Sequence, residues 1–224
     1  MTALCEPKLL RRTVTQLALP QSAAPVATAR QLRVGLLGGS FNPAHAGHRY
    51  ISLEALKRLE LDQVWWLVSP QNPLKAEAGM APLAQRVAQA ASIARHPRLQ
   101  VLALETRLGT RYTADTLRRL ATWPNHRFVW LMGADNLAQL PRWRHWRAIL
   151  ASCPVAVFER HPYSYAAMSG PVACGLASAR LPEPRAAELA VSTPPAWMFM
   201  RLRPHPASAT AIRAGAEPSG QPAA

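Results

Sequence analysis

A chain of 224 residues and 24.5 kDa that is 49% hydrophobic has the size and apolar content of one globular α/β domain with some appended sequence. No apolar run approaches the roughly 18 to 20 residues needed to span a bilayer, and the N-terminus lacks the apolar core of a secretory signal. A net charge of +14 draws polyanions, but the basic residues are scattered and no RNP-type aromatic motif, zinc finger or recognition-helix signature accompanies them, so no specific nucleic-acid partner is expected. An Arg-rich composition and a phosphate-rich substrate account for the charge equally well. Cys5, Cys153 and Cys174 show no metal-type spacing and read as reduced thiols of a cytoplasmic protein.

Residues 1–31 are rich in Ala, Thr, Pro and Gln without a sustained period. They read as a flexible extension, with an overlong start or an organelle presequence as alternatives. From Leu32 the pattern changes. Leu32 to Leu37 is a short apolar run of the type expected for a buried strand, followed by Gly38, Gly39, Ser40, Phe41, Asn42 and Pro43, a turn by composition. After Gly47 the apolar residues Tyr50, Ile51, Leu53, Leu56 and Leu59 recur at helical spacing. Strand, glycine-rich turn and helix follow one another, with His45 and His48 where the helix starts.

This order has a chemical use. Backbone without Cβ admits a ligand closely, and the first N–H groups of a helix point outward unpaired with partial positive charge. Together they seat phosphate. Residues three apart share a helix face, so both imidazoles can donate to the oxygens of a phosphoryl or nucleotidyl transition state, where negative charge grows. A metal pair is the alternative, but the glutamate of a metalloprotease helix is absent.

Further strands are expected at Val64–Val68, Leu99–Leu104, Phe128–Met132, Pro154–Phe158 and Trp197–Met200, and helices from Pro82 to about Arg95, Thr113 to Leu120 with Thr113 as N-cap, and Trp143 to Leu150. Residues 160–196 read as irregular connection with one helix around Ala186 to Ala190. The alternation predicts an α/β fold: a Rossmann-like, doubly wound parallel sheet in a single domain, with ligands beyond the carboxyl ends of the strands at the switch point.

Two later stretches fit the same chemistry. Ser208, Thr210 and Arg213 place two hydroxyls and a guanidinium at a helix start suited to phosphate, or form an ordinary capped helix start. Gly133 and Asp135 follow the fourth strand directly, with Asp135 either a nucleotide hydrogen-bond acceptor or a helix N-cap. Trp143 offers an aromatic platform or is core filling beside Trp146.

The string Gly-Gly-Ser-Phe-Asn-Pro-x-His-x-Gly-His resembles the signature of the H-x-G-H nucleotidyltransferase superfamily, and within it that of bacterial nicotinate-nucleotide adenylyltransferases. Ser208-x-Thr210-x-x-Arg213 resembles the superfamily's S-x-T-x-x-R, Gly133-x-Asp135 its G-x-D, Leu140-Pro141-Arg142-Trp143 the family's L-P-x-W, and Tyr112-Thr113-x-x-Thr116-Leu117 its Y-T-x-x-T-L, with Arg111 where relatives often have Ser. The resemblance implies a nucleotidyltransferase domain over residues 32–214 and a disordered tail over 215–224.

It further implies adenylyl transfer from ATP to nicotinate mononucleotide, with Mg2+ bound through the ATP phosphates and no protein-held metal. His45 and His48 would be catalytic. Gly38, Gly39, Ser40, Asp135, Ser208, Thr210 and Arg213 would hold ATP and its phosphates. Phe41, Asn42, Lys75, Tyr112, Thr113 and Trp143 would hold the pyridine nucleotide. Rival readings are the same chemistry on the amide mononucleotide or on phosphopantetheine, and a non-catalytic nucleotide- or RNA-binding protein. Relatives usually continue past the last motif with another apolar helix, and the Pro- and Gly-containing end of this chain predicts weaker support there or altered assembly; homo-oligomerisation is left open.

Overall fold

The computed structural model describes residues 30–71, 79–203 and 205. The expectations placed on the N-terminal extension, on Lys75, on Ser208, Thr210 and Arg213 and on the tail lie outside these residues. Six strands form one all-parallel sheet: β1 (Leu32–Gly39), β2 (Gln63–Val68), β3 (Leu99–Leu102), β4 (His126–Gly133), β5 (Val155–Phe158) and β6 (Trp197–Met200), in the order β3-β2-β1-β4-β5-β6. This is the doubly wound arrangement the alternation predicts. The order reverses between β1 and β4, so the crevice beyond their carboxyl ends is the switch point.

Strand continuity in apolar residues follows from burial on both faces. Alternate residues of each strand enter opposite cores. Val34, Leu36, Trp65, Leu67, Trp130 and Met132 pack on one side. Leu37, Val64, Trp66, Val68, Val129 and Leu131 pack on the other. The adjacent Trp65 and Trp66 thus anchor different layers. The second face is covered by α1 (Ala46–Arg58), α2 (Leu83–Ile93) and a 3-10 stretch over Glu183–Val191. The first face is covered by α3 (Leu104–Leu108), α4 (Thr113–Leu120), α5 (Ala134–Gln139), α6 (Trp146–Ser152), α7 (Ser164–Met168) and α8 (Pro171–Gly175). Among the described residues no helix is long and apolar enough to cross a membrane.

The differences from the expected elements are local. Leu104 opens α3 instead of closing a strand. Tyr112, extended at φ −114 and ψ 142, occupies the N-cap of α4, so Thr113 is its first helical residue and not its cap. Trp143 precedes α6 in extended backbone at φ −81 and ψ 136 and does not belong to the helix. Residues 160–196 carry α7, α8 and a 3-10 segment at Ala177–Ala179 where irregular connection is expected, because turns this short leave no readable period, and the helix expected around Ala186 to Ala190 falls within the 3-10 stretch Glu183–Val191.

The Gly38–Gly39 pair also plays another part than a flexible bend. Both glycines finish β1, and positive φ falls instead on Phe41, at 47°. A Cβ on Gly38 would stand 2.4 Å from the buried Trp130 indole, so that position is glycine to let Trp130 cross β1.

Candidate active site

The chain leaves β1 at the switch point, turns through Ser40 to Ala44 and enters α1 with His45 at the N-cap. The imidazoles of His45 and His48 lie with ring centroids 3.9 Å apart. The backbone N–H of His45 donates to Nδ1 of His48 at 3.2 Å. A ring nitrogen that accepts carries no hydrogen, so His48 is held in the tautomer with its proton on Nε2. Beneath it, Phe41 is only 2% exposed, stacks on Trp66 at 5.1 Å and touches the His48 ring at 4.8 Å. The Phe41 side chain forms a floor beneath His48. Trp66 Nε1–H donates to Ser52 Oγ, whose hydroxyl donates to the His48 carbonyl, both at 2.8 Å, closing the support from below.

His45 is buried, and its Nδ1 has no hydrogen-bond partner among the described residues. Burial pushes its pKa down to about 4, with the positive charges of Arg160 and His205 acting in the same direction. His45 is therefore neutral at physiological pH. The ring of His205 lies 5.5 Å from that of Tyr50 on α1, so the chain stands against α1 at that residue.

Across the crevice, Asp135 lies in the first turn of α5. Its Oδ2 accepts from Arg160 at 3.0 Å, while Oδ1 is buried with no partner among the described residues. A Cβ on Gly133 would meet that Oδ1 at 2.5 Å, which explains the spacing of Gly133 and Asp135: the glycine leaves room for the carboxylate to fold back. Asn42 is committed to framing: its Nδ2 donates to the Gly79 carbonyl at 3.0 Å and its Oδ1 accepts from Ala81 N–H at 3.3 Å. Tyr112, Thr113 and Trp143 gather on the other face of the sheet, at the start of α4 and just before α6.

Two residues of this region escape sequence reasoning. Arg86 of α2 is 1% exposed. Its guanidinium donates to the carbonyls of Ser40 (2.6 Å), Ser69 (2.7 Å), Pro70 (2.9 Å) and Ala81 (2.8 Å), binding the loops after β1 and β2 into one rim. The signal was present: Arg86 sits on the apolar stripe of its own helix, three residues after Leu83 and four before Ala90.

Glu105 of α3 is 6% exposed, and its Oε2 has no partner among the described residues. Burial pushes its pKa up to about 7, partly offset by a bond from the Ser69 hydroxyl. A carboxyl whose folded pKa lies above its unfolded value costs stability as pH rises through the interval, here about 4.5 to 7. His45 acts in the opposite sense between about 4 and 6.5, where rising pH adds stability. Glu105→Gln removes only the first effect. Its denaturation midpoint, measured against pH, is expected to rise relative to that of the parent chain from pH 5 to 8 and to stay level below pH 4.

Comparison with known proteins agrees with the geometry. A cytidylyltransferase-like family model matches residues 36–215. A relative from Bradyrhizobium sp. (strain BTAi1), named a probable nicotinate-nucleotide adenylyltransferase, is 52% identical over 185 residues, 81% of this chain and 95% of its own. One of the same name from Cereibacter sphaeroides (strain ATCC 17023) is 56% identical over 182 residues, 81% and 96%. Among solved structures, the Plasmodium falciparum nicotinic acid mononucleotide adenylyltransferase complexed with NaAD superposes with a TM-score of 0.56 over 76% of this chain and 75% of its own; at 14% identity it bears on the fold alone.

Proposed function

This chain belongs to the cytidylyltransferase-like family and, within it, to the nicotinate-nucleotide adenylyltransferases, and from that premise we propose how its residues carry out adenylyl transfer from ATP to nicotinate mononucleotide. The products are deamido-NAD and pyrophosphate. The observation that carries the assignment is the histidine pair at the head of α1, at the sheet's switch point, with one tautomer fixed by the backbone.

A 5′-phosphate oxygen of the mononucleotide attacks the α-phosphorus of ATP in line; that P–O bond forms as the bond to the β-phosphate oxygen breaks. The attacking group is already anionic, so no protein nucleophile or base is required. Catalysis is positioning and neutralisation of charge. His48 donates Nε2–H to an α-phosphate oxygen, and neutral His45 offers a second hydrogen bond beside it. Both act on oxygens whose charge rises in the transition state. Arg160 adds fixed positive charge, and the free Oδ1 of Asp135 accepts from the nucleotide. Ser40 and the backbone at Gly38 and Gly39 border the phosphates.

Ser208, Thr210 and Arg213 hold the leaving pyrophosphate in this reading; the stand of His205 against α1, three residues earlier, supports it. Trp143, Tyr112 and Thr113 receive the pyridine ring, with the Asn42 frame at its rim, and Lys75 would add positive charge for the same nucleotide. A divalent cation would be carried by the ATP phosphates, whose oxygens are hard ligands of the kind Mg2+ takes. Such an ion would neutralise triphosphate charge.

Pyrophosphate release with ATP and a panel of acceptors tests the assignment. Release is expected to be fastest with nicotinate mononucleotide and to require both substrates. Release with phosphopantetheine alone, or with no acceptor in the panel, would overturn it.

A further inference from the structure

The ring of Tyr112 is covered twice. The Arg144 guanidinium carbon lies 4.8 Å from its centroid and that of Arg111 5.8 Å. Arg144 comes from the segment between Trp143 and α6; Arg111 precedes α4. The pair of cation–π contacts therefore joins the two stretches that the proposed function gives to the pyridine ring. Arg144 is held in place: its Nε donates to His145 Nε2 at 3.2 Å, and His145 itself is fixed in left-handed backbone at φ 55. Neither guanidinium has a carboxylate partner among the described residues. The nearest acid in sequence, Asp115, is taken up by Arg118 at 2.9 Å.

Two like charges gathered on one ring without a counter-ion repel each other, and that repulsion is relieved when an anion enters between or beside them. We propose that Arg144 and Arg111 are specificity-determining residues that select the acid mononucleotide over its amide, acting through charge on the pyridine carboxylate. The inference rests on the proposed function's placement of the pyridine ring at Tyr112, Thr113 and Trp143.

Carboxylate and carboxamide are nearly the same shape. A pocket that discriminates by packing gains little between them, whereas fixed positive charge favours only the acid. Both arginines are exposed, so solvent and salt screen the effect. A selectivity loss of about tenfold is expected, not one of many orders.

The experiment measures kcat/KM for the acid and the amide mononucleotide at saturating ATP, at low and high salt, in the full chain and in Arg144→Ala, Arg144→Lys and the double variant Arg111→Ser, Arg144→Ala. Expected is a fall of about tenfold in the acid-to-amide ratio for Arg144→Ala, a larger fall for the double variant, and retention of most of the ratio in Arg144→Lys, which keeps the charge. The ratio of the parent chain should shrink with salt. An equal fall for both substrates would mean that Arg144 only props Tyr112, and would overturn the inference, as would an unchanged ratio. A parent chain that turns over neither mononucleotide would overturn the proposed function itself, a result distinct from an unchanged ratio in an active enzyme.

Discussion

His48→Ala is expected to lower turnover by about 10^2 to 10^3 at saturating ATP and mononucleotide, the usual cost of losing one hydrogen bond aimed at developing oxyanion charge. The loss should fall on kcat more than on KM, because the bond strengthens as charge grows on the α-phosphate oxygens. The fold should survive. The ring is half-buried at the crevice, and the structural links beneath it run from Phe41 to Trp66 and from Trp66 through Ser52 to the His48 carbonyl, which alanine retains. Steady-state pyrophosphate release, with circular dichroism as the check on folding, measures this. His48→Asn restores a donor without an imidazole, and intermediate activity in it would support donation as the role. Turnover near that of the parent in His48→Ala would remove His48 from the mechanism.

The second large effect falls on stability. Arg86→Leu keeps most of the apolar stem of the side chain and removes every donor. The carbonyls of Ser40, Ser69, Pro70 and Ala81, all in part-buried positions, then lose the partner that the buried guanidinium supplies. Each buried acceptor left unpaired costs about 1–3 kcal/mol, reduced where water enters. At least about 3 kcal/mol is expected, which for a domain of this size lowers Tm by roughly 6 to 12 °C. Because the same bonds join the loops after β1 and β2, mononucleotide KM should rise even where the variant is folded. A melting temperature within a degree or two of the parent's would show that the rim holds without the guanidinium.

How far the sequence speaks for itself depends on the kind of information each residue carries. The six strands are legible because a parallel sheet buried on both faces writes them as uninterrupted apolar runs, and the order of strand, turn and helix around His45 is legible because its spacing is local. Phe41 could not be placed from its neighbours. Its role depends on Trp66 twenty-five residues later, and on a left-handed backbone that the string Ser-Phe-Asn-Pro does not demand. Gly38 reads as freedom for a ligand, whereas its reason is the indole of Trp130 on the neighbouring strand. Arg86 shows only its place on the apolar stripe of α2, not what it binds, and Glu105 looks like a surface charge in a window of ordinary composition. Only the tertiary arrangement shows one as a buried knot of donors and the other as a buried acid. The helices Ser164–Met168, Pro171–Gly175 and Ala177–Ala179 are each about one turn long, too brief to print a period.

The central claim is geometric: the two imidazoles at the head of α1 face the α-phosphate of bound ATP. A crystal structure of the chain with α,β-methylene-ATP tests it most directly. The account predicts an α-phosphate oxygen within hydrogen-bond distance of His48 Nε2, with His45 beside it and the adenosine toward Asp135. A triphosphate bound elsewhere, with both histidine rings remote from its α-phosphorus, would contradict it.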